Sequence, residues 1–201
     1  MANTLAPFGL LPWRGADGAA PTYGLRTRQI AYNDTNKVFR GDLVASLSTG
    51  YIGQWTAGVA VSQLAGIFWG AKYMSVSQNT TVFSRYWPGT DVASTQTVTA
   101  YIIPCATAVP PMFIGQTANS STTAVAVGFG DIGQNFDVAV GTGNTLSGAS
   151  TTYLDINTRN TTATLPFRMI GYYDGPGNGS DFASAYNNII VQANIYQETG
   201  I

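Results

Sequence analysis

Short apolar segments, each bounded by Gly, Pro, Asn or Ser clusters, constrain this chain more than any other feature of its sequence. Ile189–Tyr196 is the clearest, because Ile189, Val191, Ala193 and Ile195 alternate with the residues between them, which is the period of a half-buried strand. The other candidate strands are Leu43–Leu47, Ile67–Met74, Val82–Trp87, Thr97–Ile103, Met112–Gln116, Ala124–Phe129, Phe136–Val140, Tyr153–Ile156 and Leu165–Tyr173. Many short strands with Gly-rich turns predict an all-β fold, a jelly-roll or barrel-like antiparallel β-sandwich.

Helical signals are almost absent. One short turn of helix over Phe182–Tyr186, capped by Ser180 or Asp181, is the most that the sequence indicates. No internal repeat of solenoid or propeller period is present.

The length of 201 residues suits one large β domain or two small ones. Residues 1–40 form an N-terminal arm with the first strands, and residues 41–117 hold aromatic and aliphatic strands typical of a barrel or sandwich core. Thr117–Thr123 is a polar connector, and residues 118–201 form a Gly/Thr/Asn-rich β region. This last region is either a separate domain or part of the same one.

Charged residues make up only 9% of the chain, against about a quarter in typical domains. A neutral, hydroxyl-rich surface suits a protein that packs against copies of itself, because few charges lose their hydration at the contacts. Residues 1–40 carry five cationic and two acidic side chains, a balance of +3, so the remainder carries −4 within the total of −1. This asymmetry is either scatter or a mildly basic arm for an acidic partner, and it is too sparse for duplex nucleic acid.

The chain has no His, which excludes Ser-His-Asp and Cys-His nucleophiles, His-bearing zinc sites and imidazole acid-base chemistry. Cys105 is the single cysteine, so an intrachain disulfide and a thiolate cluster are excluded, and its apolar neighbours indicate an inert buried thiol. We therefore expect no catalytic residues, no metal site and no cofactor.

The start of the chain does not resemble a secretory signal, because it lacks a basic region and Pro7 and Pro12 interrupt its apolar stretch. No run approaches the ~20 apolar residues that span a bilayer. We expect no membrane partner.

Several patterns imitate binding sites. Gly128 to Gly133 fits the dinucleotide pattern G-x-G-x-x-G, but Gln134–Gly141 reads as turn and strand, so the helix that would hold a pyrophosphate is missing. The loop from Asp174 to Asp181 carries oxygen ligands without EF-hand spacing and is better interpreted as a β-turn. Asp131 and Asp137 would be the carboxylates of a glycosidase, the third-ranked function.

The four tryptophans admit two interpretations. They form a carbohydrate platform in a lectin-like module, or they lie in the core and at subunit contacts, which is the interpretation that we favour. They are Trp13, Trp55, Trp69 and Trp87.

The N-terminal arm supplies the candidate interface. Pro7, Gly9 and Pro12 prevent a helix or a central strand, so the apolar side chains between them need another surface for burial. We expect an extended arm that docks on a neighbouring subunit or on a partner protein and that can be deleted without loss of the fold. The candidate interface residues are Phe8, Leu10, Leu11, Trp13, Arg14 and Trp87.

A set of short motifs extends in order along nearly the whole chain. The chain opens with Ala6-Pro7-Phe8-Gly9-Leu10, followed by Pro12 and Arg14. Further motifs are Gly41-Asp42-Leu43-Val44, Gly66-Ile67-Phe68-Trp69-Gly70-Ala71-Lys72-Tyr73, Phe83-Ser84-Arg85-Tyr86-Trp87-Pro88-Gly89, Ala100-Tyr101-Ile102, Phe113-Ile114-Gly115-Gln116, Gly133-Gln134-Asn135-Phe136-Asp137, Leu165-Pro166-Phe167-Arg168-Met169-Ile170-Gly171 and Asn188-Ile189-Ile190-Val191-Gln192-Ala193-Asn194-Ile195-Tyr196. In this order, these motifs resemble those of the cement, or decoration, proteins of tailed-phage capsids. Members of this family often have His at or beside the position of Ile195, where this chain has none.

The resemblance implies a virion structural protein without catalysis. Such a protein is made in the host cytoplasm and binds the outer surface of the capsid as a dimer or trimer, with the major capsid protein as its partner. The N-terminal arm would then dock on a neighbouring subunit or on that capsid protein. The alternative is a carbohydrate-binding or adhesion β-sandwich module of a virion.

Overall fold

The computed structural model describes residues 2–20, 24–56, 59–105, 107, 109–120 and 124–194, and they form an almost entirely β protein, as the sequence predicts. Two 3-10 turns, Val61–Gln63 and Phe129–Asp131, are the helical segments of this described part. The strands are β1 (Leu11–Gly15), β2 (Arg26–Ile30), β3 (Val38–Phe39), β4 (Leu43–Ser46), β5 (Ile52–Gln54), β6 (Leu64–Ser75), β7 (Thr80–Ser84), β8 (Tyr86–Trp87), β9 (Val98–Pro104), β10 (Pro111–Ala118), β11 (Asn135–Ala139), β12 (Tyr153–Asn160), β13 (Phe167–Tyr172) and β14 (Asn188–Ala193).

Five strands close into a barrel in the order β10-β12-β11-β13-β14, with β14 pairing back to β10. The pairings are antiparallel except for the short parallel contact between β10 and β12. Closure removes the open edges of a sheet, so the barrel-like part of the expectation is confirmed.

A second, antiparallel sheet has the strand order β2-β9-β6-β4-β5, and its edge strands β2 and β5 contact each other. The long strand β6 pairs β4 with its first half and β7 with its second half. The strands β3 and β8 form a separate two-stranded ribbon.

The two sheets share a hydrophobic core. One cluster of buried side chains combines Leu43, Ile67 and Ile103 of the second sheet with Phe113 and Val191 of the barrel. The side chains of a second buried cluster come mostly from the β2-β9-β6-β4-β5 sheet. The boundary expected after residue 117 falls inside β10, which is a barrel strand, and the common core packs residues from both sides of it together.

Most predicted strands are present, with bounds shifted by a few residues. In β14, Ile189, Val191 and Ala193 point into the shared core, which confirms the alternation, whereas Ile195 and Tyr196 lie outside the described residues. The strand predicted over Ala124–Phe129 is wrong. There the backbone N–H of Val127 donates to the side-chain oxygen of Asn187 over 3.0 Å, so a side chain replaces a neighbouring strand as the partner.

The helical turn predicted over Phe182–Tyr186 is also wrong, although its capping residue is right. The Asp181 carboxylate accepts the backbone N–H of Ala183 and the hydroxyl of Ser184, as in a capped turn. Tyr186 then adopts a φ of 62°, which lies in the left-handed region and cannot continue a helix.

The N-terminal arm belongs to the chain's own fold, which corrects the expectation that a neighbour buries it. Its strand β1 pairs antiparallel with β10, and Leu10 is 1% exposed in the shared core. The backbone N–H of Gly9 donates to Thr152 over 3.1 Å, and that of Leu10 donates to Gly41 over 2.9 Å. An arm with these bonds stabilises the fold, so we no longer expect its deletion to be harmless.

The residues before Gly9 are fixed by a distant loop. The side chain of Asn3 donates to the carbonyls of Asp181 and Ala185 over 2.8 and 3.0 Å, and Asn178 bonds both the N–H and the carbonyl of Thr4. The loop from Asp174 to Asp181 therefore serves to hold the arm.

Candidate interaction surface

Two of the six predicted interface residues, Leu10 and Trp87, lie in the interior of the chain. Trp87 is 0% exposed, packs edge-on against Tyr73 and donates its indole N–H to the carbonyl of Asp34 over 3.1 Å. Leu10 fills the shared core. Both are core residues because the chain itself supplies their apolar neighbours, so we remove them from the candidate interface.

The other four candidates lie in or beside β1. Phe8, Leu11 and Trp13 are half-buried and Arg14 is exposed. Trp13 is the extra residue of a β-bulge, because Pro12 pairs with Phe113 and Arg14 pairs with Met112. The guanidinium of Arg14 lies 4.3 Å from the centre of the Trp13 ring, so the arm presents a cation stacked on an indole.

The strand β1 is at the end of the strand order, yet it is built to resist the addition of another strand. Pro12 lacks an N–H donor, and the bulge at Trp13 interrupts the regular hydrogen-bond spacing. A partner at this edge therefore contacts side chains more readily than backbone.

A groove of about 440 Å³ opens beside β1. Leu11, Pro12, Arg40 and Trp69 line it, and the Arg40 guanidinium lies 3.6 Å from the centre of the Trp69 ring. The groove thus offers an apolar wall and a planar cation stacked on an aromatic face. Sequence analysis noted Trp69 but did not connect it to Leu11, because 58 residues separate the two positions.

The loop between β11 and β12 carries the most exposed large apolar side chain among the described residues, Leu146, which is 98% exposed. The side-chain oxygen of Asn144 accepts the backbone N–H groups of Leu146 and Ser147 over 2.9 and 3.2 Å. The carbonyl of Gly148 accepts the backbone N–H of Arg40. Because Arg40 lines the groove, this bond holds the loop beside it. Sequence analysis missed Leu146, whose only signal is its isolation in a Gly/Thr/Asn/Ser run.

We call the groove, the loop tip and the exposed part of β1 the β1 surface. Its residues are Leu11, Pro12, Trp13, Arg14, Arg40, Trp69 and Leu146.

The acidic side chain of Asp42 is 0% exposed at the junction of the two sheets. Its carboxylate accepts hydrogen bonds from Phe39, Gln54, Ser150 and Thr152. Burial raises the pKa of Asp42, and these hydrogen bonds partly offset the rise. A carboxylate sealed in this way fixes the packing of the sheets and does not reach a ligand.

The remaining chemical motifs are occupied by structural contacts. In the G-x-G-x-x-G segment, the Asp131 carboxylate accepts the N–H of Gly128 and pairs with Arg159 at 2.7 Å. The strand β11 follows, which confirms the predicted turn and strand. The Asp137 carboxylate accepts the N–H of the adjacent Val138. No group of three or more acidic, Cys or His side chains in the described part of the chain is arranged to hold a metal ion.

The tryptophans do not form one platform. Trp55 and Trp87 are core residues, whereas Trp13 and Trp69 are half-buried at the β1 surface. Cys105 is fully buried, as expected, and burial raises the pKa of its thiol to about 12.

In the described ranges, no helix has the length and apolar character needed to cross a membrane. Comparison of the chain with protein-family models, with curated proteins and with solved structures finds no match.

Proposed function

We propose that this chain is a structural protein of a tailed-phage virion that binds the outer capsid shell and stabilises it, without catalysis. Its partner is the major capsid protein, and it acts as a dimer or trimer. The motifs that resemble cement proteins support this proposal, and the jelly-roll form implied by that resemblance remains a prediction.

The observation that carries the proposal is a rigid β body with few charges and with large apolar side chains left on its exterior. Leu146 and Phe83 are 98% and 69% exposed. Phe83 lies on β7, and Leu146 lies in a turn where the Asn144 side chain accepts its backbone N–H. Contiguous exposed apolar surface marks a site of association, because its burial against a partner is favourable.

The β1 surface is the proposed contact. Its bulged, proline-containing edge discourages uncontrolled strand pairing, while Leu11, Trp13 and Leu146 offer apolar area beside two arginines stacked on indole rings. Tryptophan and arginine are the side chains that most often dominate the energy of protein interfaces.

Reconstitution tests this function. The purified protein is added to shells of the encoding phage that lack it, and cryo-electron microscopy and the temperature of shell rupture are recorded. We expect ordered density on the outer surface, with the β1 surface against the capsid protein, and rupture at a higher temperature. Absence of binding, together with absence of the protein from purified virions, would contradict the proposal.

A further inference from the structure

Three aromatic rings form a cluster on the barrel, and none of them belongs to the β1 surface. The ring centres of Phe129 and Tyr172 are 4.9 Å apart, those of Tyr172 and Phe182 are 4.3 Å apart, and those of Phe129 and Phe182 are 5.8 Å apart. Phe129 and Phe182 remain 68% and 39% exposed. The Phe129 and Tyr172 rings are tilted by 59°, so together they form an open corner.

The local backbone holds Phe129 in this exposed position. Phe129 begins a 3-10 turn, and a hydrogen bond of 2.8 Å from the N–H of Gly128 to the Asp131 carboxylate closes this turn. The hydroxyl of Tyr172 donates to the carbonyl of Val127, which fixes the second ring to the same segment. A Cβ at Gly130 would meet no atom within 4 Å, so the space beside the turn is open.

An ion pair supplies polar groups at the edge of the cluster. The Arg159 guanidinium bonds Asp131 at 2.7 Å, and the Arg159 side chain is 34% exposed, whereas that of Asp131 is 12% exposed. Asp131 ends the 3-10 turn that Phe129 begins, so the carboxylate lies beside the aromatic cluster. A guanidinium carries five N–H donors, so one held by a carboxylate still has donors for a ligand.

We propose that Phe129, Tyr172, Phe182 and Arg159 form a binding site for a neutral pyranose glycan. The apolar C–H face of the sugar stacks on Phe129, its edge lies against Phe182 and Tyr172, and a ring hydroxyl accepts a hydrogen bond from Arg159. Asp131 acts as a positioning residue, because it orients the guanidinium and closes the turn that presents Phe129.

The charges at the site favour a neutral sugar over other ligands that stack on aromatic rings. Asp131 compensates the charge of Arg159, so this pair does not supply the surplus positive charge that nucleic-acid phosphates require. A pyranose offers both an apolar face and hydroxyl groups, as sites with a few fixed polar groups among aromatic walls require.

The test uses the full chain without capsids, so its outcome is independent of the proposed virion role. The protein is applied to an array of immobilised neutral glucans, galactans, mannans and N-acetylglucosamine oligomers, and the best binder is titrated calorimetrically. We expect Phe129→Ala to raise the Kd about tenfold or more, as aromatic residues at the centre of a site often do. Arg159→Lys keeps the positive charge but loses the planar fork, and we also expect weaker binding.

Phe83→Ala is the matched control, because Phe83 is 69% exposed, like Phe129, but lies on β7 of the other sheet. Its Kd should equal that of the unmodified protein. Thermal melting of all variants separates loss of the site from loss of the fold, and Phe129→Leu provides a second, milder change. The proposal is overturned if no glycan on the array binds, if Phe129→Ala and Phe83→Ala bind equally well, or if single-stranded DNA binds in place of glycans.

Discussion

The hydroxyl of Ser150 donates a 2.5 Å hydrogen bond to the carboxylate of Asp42, although 108 residues separate the two positions. The Thr152 hydroxyl donates to the same oxygen over 2.7 Å, and the Phe39 N–H donates to the other oxygen over 2.8 Å. One fully buried carboxylate thereby links the β3–β4 turn of one half of the molecule to the segment that precedes β12 in the other.

We expect Asp42→Ala to lower the free energy of unfolding by about 3 kcal/mol or more, because several buried donors lose their acceptor. Urea unfolding followed by circular dichroism measures the change. Asp174→Ala is the control, since Asp174 is exposed and its loss should change stability by less than about 0.5 kcal/mol. Equal effects of the two substitutions would show that the carboxylate does not hold the junction.

The pH dependence of stability should show the raised pKa of Asp42. The folded state binds the proton of the Asp42 carboxyl group more tightly than the unfolded state does. This proton therefore contributes fully to stability below pH 3.8, the ordinary pKa of the group, and the contribution is lost as the pH rises through the raised pKa. The stability of the unmodified protein relative to Asp42→Asn should therefore increase as the pH falls from 7 towards 4. Urea titrations of both proteins at several pH values measure this difference, and a constant difference would contradict the assignment.

Leu10 and Leu5 provide a matched test of the corrected arm. Leu10 is 1% exposed in the shared core, and we expect Leu10→Ala to cost about 2–5 kcal/mol. Leu5 is 55% exposed, so Leu5→Ala should change stability by less than about 0.5 kcal/mol. Deletion of residues 2–13 removes Leu10 and most of β1, so a deleted protein with unchanged thermal melting would refute this placement.

Gly89 and Gly50 separate steric conflict from backbone strain. Both have positive φ angles, of 79° and 85°, but a Cβ at Gly89 would lie 2.3 Å from the carbonyl oxygen of Thr35, whereas one at Gly50 meets nothing within 4 Å. We expect Gly50→Ala to cost about 1–2 kcal/mol, the cost of a left-handed conformation. Gly89→Ala should cost about 1–3 kcal/mol more, as overpacking does. Urea unfolding of the two variants measures the difference between their losses of unfolding free energy. Equal losses would show that Thr35 moves aside.

Leu146 should contribute to capsid binding without contributing to the fold. We expect Leu146→Asp to retain the melting temperature but to reduce occupancy on shells, because a charge would lose hydration at the contact. Leu146→Met keeps an apolar side chain of similar volume and should bind normally. Quantitative binding to shells that lack the protein measures both variants. Full occupancy by Leu146→Asp would remove the loop tip from the β1 surface.

Alternation and turn residues were sufficient to predict the all-β class and strands such as β14, because each of these signals is local in sequence. The strand expected over Ala124–Phe129 is absent because the hydrogen-bond partner of Val127 is the side chain of Asn187, 60 residues away. Local patterns equally cannot show that β10 pairs in parallel with β12, which closes the barrel.

The β1 surface was predictable only in part, for the same reason. Leu11, Trp13 and Arg14 were recognised as surface candidates, but the proline-interrupted pattern around Leu10 gave no sign that Gly41 and Thr152 provide backbone partners there. Leu146 was missed because a single leucine has no periodicity, and its exposure follows from a turn fixed by Asn144.

The contacts of Asn3 and β1 constrain the order in which the chain can fold during its synthesis. Residues 3–15 leave the ribosome long before their partners in β10 and in the loop at 178–185 exist, since up to 182 residues separate the bonded positions. The strand β1 therefore stays unpaired until β10 has been translated, and Asn3 stays unpaired until residues 181–185 have been translated. Contacts of such high sequence separation form slowly. During that interval the nascent chain exposes an apolar segment and the outer edge of β10, the kind of surface that chaperones bind and that aggregates at high expression.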